Sequence, residues 1–213
     1  NTGTVSNKGL ELSLNWKQEI NDNWKYSVSG NISFNKNELT NVNNAYFSNF
    51  IGGSINNGQW TKQVLVGEAL GSFYVYDVTG IDGDGNFTYS DERVVAGSYL
   101  PTYTYGLNFT LNYKKFDFSV DTYGVGGNKL YNGKKAQRFG GENVEYDVLN
   151  NFWTPSNPNA ANPRPFNEVP RSSTYYIEDG SYLRINNITL GYTFPKFFDQ
   201  IDKVRLYATA IKI

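Results

Sequence analysis

The stretch Tyr105-Gly106-Leu107-Asn108-Phe109-Thr110-Leu111-Asn112-Tyr113-Lys114-Lys115-Phe116-Asp117-Phe118-Ser119-Val120-Asp121 decides the fold class. Tyr105, Leu107, Phe109, Leu111 and Tyr113 alternate with Gly106, Asn108, Thr110 and Asn112. A period of two puts each set on its own side of an extended chain, which a helix cannot do. Lys114-Lys115 makes a tight turn, and the return strand sets Phe116, Phe118 and Val120 against Asp117, Ser119 and Asp121. Two carboxylates therefore lie on the side away from the apolar residues, where a wet interior suits them.

The same grammar extends outward in both directions. Upstream, Leu10, Leu12, Leu14 and Trp16 alternate with Glu11, Ser13, Asn15 and Lys17. After the turn composition Asn21-Asp22-Asn23, residues Trp24, Tyr26, Val28, Gly30, Ile32 and Phe34 alternate with Lys25, Ser27, Ser29, Asn31 and Ser33. Downstream, Leu183 and Ile185 are followed by Ile188, Leu190, Tyr192 and Phe194, so the apolar parity slips across Asn186-Asn187 and predicts a β-bulge there. Beyond Pro195 a last strand from about Val204 to Ile211 keeps Leu206 and Ala208 in step. Six strands result, each near the roughly 9–11 residues that cross a bilayer.

The connections are unequal. The turns at Asn21 to Asn23, Lys114-Lys115 and Pro195 to Lys203 are separated by two strands each, so all three fall at one end, whereas Asn37 to Pro101 and Asn128 to Gly180 are long, turn-rich excursions from the other. Outer-membrane barrels show this asymmetry, with short periplasmic turns and long outer loops. Counting the apolar run Val64 to Val78 as a crossing breaks the parity, so it is expected to be substructure within a loop. Trp16 and Trp24, Tyr113 and Phe116, and Phe194, Phe197 and Phe198 flank the three short turns as an interfacial girdle does.

Composition supports strands and narrows function. Aromatic residues make up 16% and charged residues 18% of the 213 residues, the latter below the usual ~25%. A mean hydropathy of −0.52 agrees with a barrel, in which only alternate strand residues face lipid. No apolar run approaches the roughly 20 residues of a helical span, and no signal peptide opens the sequence. A net charge of −1 with scattered Lys and Arg argues against a nucleic-acid partner. Cys, His and Met are all absent, which removes disulfides, thiolate and imidazole catalysis and the usual zinc ligands.

With the strands placed, an ordered set of strings resembles the C-terminal barrel of SusC/RagA-type TonB-dependent transporters. They are Asn7-Lys8-Gly9-Leu10-Glu11-Leu12, Gly30-Asn31-Ile32-Ser33-Phe34-Asn35-Lys36-Asn37 and Tyr103-Thr104-Tyr105-Gly106-Leu107-Asn108. Tyr113-Lys114-Lys115-Phe116-Asp117, Trp153-Thr154-Pro155, and Glu178-Asp179-Gly180-Ser181-Tyr182-Leu183-Arg184-Ile185 running into Thr189-Leu190-Gly191-Tyr192 complete the set. The resemblance implies that residues 1–213 are the C-terminal part of one 22-stranded antiparallel transmembrane β-barrel. It also implies that the N-terminal plug and the last strands are absent from this sequence, which departs from the family in stopping at Ile211-Lys212-Ile213.

Gly80-Ile81-Asp82-Gly83-Asp84-Gly85 with Asp91 has part of the pattern of a calcium loop, in which alternate carboxylates surround the cation and Gly allows the sharp turn. Asp82, Asp84 and Asp91 fall on ligand positions, but Gly80 stands where the first Asp belongs, and a plain Asp-Gly turn explains the string as well. Adjacent pairs such as Asp91-Glu92 and Glu178-Asp179 point to opposite sides of a strand and make no acid/base couple, so no enzyme is expected. Asn31, Asn86, Asn108 and Asn187 open sequons that arise by chance in an Asn- and Thr-rich chain. Tyr46, Phe47, Trp60, Phe139, Phe152 and Trp153 in the excursions suit either sugar and partner stacking or packing of the loops themselves.

The resemblance implies import of oligosaccharides or peptides across the bacterial outer membrane. It further implies energising through TonB and its inner-membrane complex, and capping by a SusD-like surface lipoprotein. The competing expectation is a soluble or surface β-sandwich adhesin or glycan-binding module, which would share short alternating strands and aromatic loops.

Overall fold

A computed structural model describes residues 3–43, 62–137, 145–165, 171–195 and 201–212. In chain order the strands are β1 (Gly3–Asn21), β2 (Trp24–Val42), β3 (Lys62–Gln63), β4 (Ser72–Ile81), β5 (Phe87–Val95), β6 (Tyr103–Tyr113), β7 (Phe116–Gly126), β8 (Lys129–Tyr131), β9 (Ile177–Asp179), β10 (Tyr182–Phe194) and β11 (Val204–Ile211). Two five-residue helices, α1 (Gly133–Gln137) and α2 (Tyr146–Asn150), are the only α-helices among the described residues.

β1, β2, β6, β7, β10 and β11 form one six-stranded sheet in that order, and the strand pairs whose register is defined in it are antiparallel. These are the six strands the alternation predicts. β1 and β2 are each 19 residues long, well beyond a membrane crossing, whereas β11 has eight. β1 and β11 stand at the edges, so the described strands form an open sheet.

The short turns have local chemical causes. Asn21 Oδ1 accepts from the backbone N–H of Asn23 at 2.9 Å and of Trp24 at 3.1 Å, an Asx-type cap that reverses the chain. At the next turn Lys114 takes φ of +54°, and its N–H donates to the Asn23 carbonyl at 2.8 Å, tying the two turns together. The predicted bulge sits where the parity slips. Ile185 pairs with Thr122 and Asn187 with Asp121, leaving Asn186 as the extra residue.

The chain divides into two compact units. One contains the sheet over residues 8–35, 101–127 and 181–213, and the other gathers residues 1–7, 36–100 and 128–180, the two long excursions. Within the excursion unit β3, β4 and β5 form a small antiparallel sheet and β8 pairs with β9. Part of the apolar run Val64 to Val78 thus becomes β4, a strand of the loop sheet outside the six-stranded wall. Val75 and Tyr176 are fully buried at this unit's core, with Leu39 and Phe73 nearly so.

Candidate functional site

The sheet unit's chemistry is organised by register. Strand pairing lines up Trp24, Tyr113, Phe116, Tyr192 and Leu206 in one cross-strand row. The next row is Lys25, Asn112, Asp117, Gly191 and Tyr207, on the opposite side of the pleat. Apolar and polar rows then alternate: Tyr26, Leu111, Phe118, Leu190 and Ala208, followed by Ser27, Thr110, Ser119, Thr189 and Thr209. Next come Val28, Phe109, Val120, Ile188 and Ala210, and then Ser29, Asn108, Asp121 and Asn187, with Ile211 ending that row on β11. Because the Asn186 bulge restores parity, Ile185 and Leu183 return to the apolar side in the rows of Leu107 and Tyr105, while toward the far end Tyr123, Val125 and Tyr182 join Arg184 on the other side.

Among the described residues of this unit no second sheet covers the apolar side. Leu10, Leu12 and Leu14 are 66–69% exposed and Leu190 is 54% exposed. A soluble sandwich would bury this side against a facing sheet about 10 Å away. The bare apolar side suits contact with lipid.

Aromatic rings bound this side at both ends. At the short-turn end Trp24 and Tyr113 lie 4.1 Å apart between ring centroids, Phe116 and Tyr192 4.7 Å, and Tyr192 and Phe194 4.8 Å. Phe197 and Phe198, expected in the same girdle, lie outside the described residues. At the other end Phe34 and Tyr103 are 6.2 Å apart and Tyr103 and Tyr105 6.1 Å. Tyr105 lies over Gly124 and Tyr103 over Gly126, where a Cβ on either glycine would strike the ring. Trp24 and Phe34 are separated by ten residues of β2. That is about 34 Å along a strand and about 25 Å of height at a tilt of roughly 40–45°, the height of an outer-membrane apolar band.

The polar side is held by contacts that sequence reading did not identify. Asp117 on β7 and Arg205 on β11 form a two-pronged ion pair, with Nε donating to Oδ1 at 2.9 Å and Nη2 donating to Oδ2. The pair reaches across β10, and Gly191, which pairs with Asp117, leaves it room: a Cβ there would approach Asp117 Oδ1 to 2.5 Å and Arg205 Nη2 to 2.6 Å. Higher on the same side, Asn186 Nδ2 donates to Asp121 Oδ2 at 2.9 Å. Thr189 and Thr209 join their hydroxyls at 2.9 Å.

In the excursion unit, Asp82 serves as the cap of the β4–β5 turn. Its Oδ1 accepts from the N–H of Asn86 at 2.8 Å and of Asp84 at 3.0 Å, and these bonds, that from Asn86 foremost, lower its pKa. Asp84 and Asp91 are exposed, and among the described residues no three acidic side chains gather as a metal site would require. Gly85 takes φ of +87° and lies against Trp153, whose Cε3 would stand 2.6 Å from a Cβ there. Trp153, 7% exposed, therefore packs the loop, whereas Tyr46, Phe47, Trp60 and Phe139 lie outside the described residues. Phe152 is half-buried.

Cations and rings interleave elsewhere in this unit. Arg93 lies 4.8 Å from the Tyr76 ring, Arg171 5.4 Å from Tyr76 and 5.6 Å from Tyr89, and Lys135 3.6 Å from Tyr175. Burial lowers the pKa of Lys135 and raises that of Tyr131 to about 12. These residues come from segments far apart in the chain, as Tyr76 and Arg171 do, and no local pattern in the sequence announces them.

No protein-family model matches the chain. TonB-dependent receptor P3 of Formosa agariphila is 29% identical over 98% of this chain and 24% of its own length. TonB-dependent receptor P26 of the same organism is 29% identical over 100% and 25%. TonB-dependent receptor SusC of Bacteroides thetaiotaomicron is 30% identical over 93% and 21%. The chain thus spans about a quarter of the length of the curated relatives it matches. The RagAB peptide transporter structure superposes with a TM-score of 0.80 over 99% of this chain and 25% of that one, at 23% identity. The RagAB peptide importer in its closed-closed state gives 0.77 at 24% identity, over 99% and 26%. By sequence over nearly its whole length and by fold, the chain is homologous to TonB-dependent receptors of the SusC type and is itself a stretch of outer-membrane β-barrel.

Proposed function

We propose that this chain forms part of the wall of a TonB-dependent importer that carries nutrients, oligosaccharides or peptides, across the outer membrane. The observation that supports this most is the register itself, which gives one sheet a lipid side about 25 Å tall between aromatic rows and an opposite side richer in polar residues. The polar side would line the conduit. The long excursions would meet a SusD-like surface lipoprotein, and the energy would come through TonB from the inner membrane. Homology to SusC and likeness to the RagAB transporter support the partnership and the cargo class.

The test is uptake by cells that carry or lack the full-length protein, in backgrounds with and without TonB. Labelled oligosaccharides and oligopeptides should enter only when both are present, and the protein should co-purify with a surface lipoprotein. Equal uptake of every candidate cargo without the protein would refute the reading.

A further inference from the structure

The polar side of the sheet carries a concavity of about 270 Å³ between β1, β2, β6 and β7. Ser13, Asn15, Asn31, Asn108 and Asp121 line it. Gly106 opens its floor, since the Asn31 amide lies directly over the space a Cβ would take, 2.7 Å from Oδ1. Its polar groups are amides and hydroxyls interleaved with Leu107, Gly30 and Gly106, and Asp121 carries its single formal charge.

That charge is held in an unusual way. Its described hydrogen-bond donor is the neutral amide of Asn186 at 2.9 Å, and no Lys or Arg among the described residues forms an ion pair with it. Asp117, on the same strand and the same side, has Arg205. Arg184 is the nearest cation by register, one polar row away through Tyr123, and its guanidinium lies 5.3 Å from the Tyr182 ring. The bulge is what brings Asn186 to Asp121. Bulges re-aim side chains, and this one sets the Asn186 amide on the carboxylate while Asn187 is the cross-strand partner of Asp121.

A carboxylate oriented by one amide, in a hollow whose other polar groups are neutral, complements one compact cation carrying several N–H donors. Charge-assisted hydrogen bonds of that kind are about twice as strong as neutral ones. We propose that Asp121, with Asn108, Asn31 and Asn15 as further oxygen acceptors, forms a wall subsite for a primary ammonium or guanidinium group. This rests on the reading of the polar side as the conduit. Two sources share that chemistry: a basic side chain of passing cargo, or a Lys or Arg of a domain seated inside the barrel.

The test uses the full-length protein with Asp121→Asn, which keeps the shape and removes the charge, and Asp121→Glu, which restores the charge. The probes are fluorescent Lys-Ala-Lys and its Nε-acetylated counterpart, measured by equilibrium binding to purified protein. If cargo supplies the cation, Asp121→Asn weakens binding of the basic peptide about tenfold, leaves the acetylated one unchanged, and Asp121→Glu recovers part of the loss. If an inserted domain supplies it, both peptides bind as before, and that domain is cleaved several-fold faster in limited proteolysis of Asp121→Asn, with rescue by Asp121→Glu. No change in either readout, with heat-dependent gel migration showing a folded barrel, overturns the subsite. A charge effect on binding in a protein that imports nothing in cells would refute the import reading and leave the subsite standing.

Discussion

Placing a lysine on either side of β7 tests the division of the sheet quantitatively. Val120 stands across from Phe109 and Ile188 in an apolar row, and Ser119, its neighbour, stands across from Thr110 and Thr189 in a polar one. Midway between the aromatic boundaries at Trp24 and Phe34 is the row of Ser29 and Asp121, so Val120 lies one residue from the middle. At about 3.4 Å per residue and a tilt of roughly 40–45°, that is about 2.5 Å of depth. A lysine on the lipid side near the midplane costs about 2–4 kcal/mol. Val120→Lys should therefore lower folding stability by about 3 kcal/mol, a little over a hundredfold in the equilibrium. Ser119→Lys projects into water and should change stability by no more than about 0.5 kcal/mol. Urea titration of the full-length protein folding into phospholipid vesicles, followed by gel migration without heating, measures both. An equal or larger cost for Ser119→Lys would refute the assignment of sides.

Other substitutions probe the excursion unit. Gly85→Ala adds a Cβ at φ of +87° against Trp153 and Arg164, and should cost about 2–4 kcal/mol, seen as faster amide exchange across β4 and β5 while the wall remains folded. Tyr176 is fully buried and its hydroxyl has no hydrogen-bond partner among the described residues, so Tyr176→Phe should be neutral or stabilising by up to about 1 kcal/mol in a thermal melt. The Asp82 carboxyl is held below its ordinary 3.8, so its contribution is fully present above that value and is lost as pH falls through the lower folded-state pKa. Proteolysis of the β4–β5 turn should accordingly change only below about pH 4, and Asp82→Asn should remove that dependence. Added calcium should leave the turn's protection unchanged, since backbone amides already engage Asp82; saturable protection abolished by Asp84→Asn would establish an ion at Asp82, Asp84 and Asp91.

Sequence carried the wall because its cause is local. Side chains alternate at a period of two wherever one side meets lipid, so Leu107, Phe109 and Leu111 declare their side without knowledge of their neighbours. The Asn186 bulge was legible for the same reason, as a break in parity. The lengths of β1 and β2 were not, because from Asn35 onward the alternation fades while hydrogen bonding persists into the excursion unit, where Asn37 Nδ2 donates to Asn7 Oδ1 at 2.7 Å. The ion pair of Asp117 and Arg205 depends on three strands meeting in register over Gly191, and the rings and cations of the excursions come together only through tertiary packing. The Asp82 string illustrates the limit of motifs. Its acidic spacing fits an ion, and its backbone geometry fits a capped turn.

The most direct measurement of the central claim is a nitroxide scan along β6 in the full-length protein reconstituted in lipid, made simpler by the absence of cysteine from this sequence. Single cysteines at Leu107, Asn108, Phe109, Thr110 and Leu111 are labelled, and collision rates with oxygen, which concentrates in the bilayer, are compared with those of a water-soluble nickel chelate. A lipid-facing Leu107, Phe109 and Leu111 with a wet Asn108 and Thr110 gives a two-residue oscillation, oxygen dominant at the odd positions and nickel at the even ones. Uniform nickel access at all five, or the opposite phase, would contradict a membrane-spanning wall with its polar side inward.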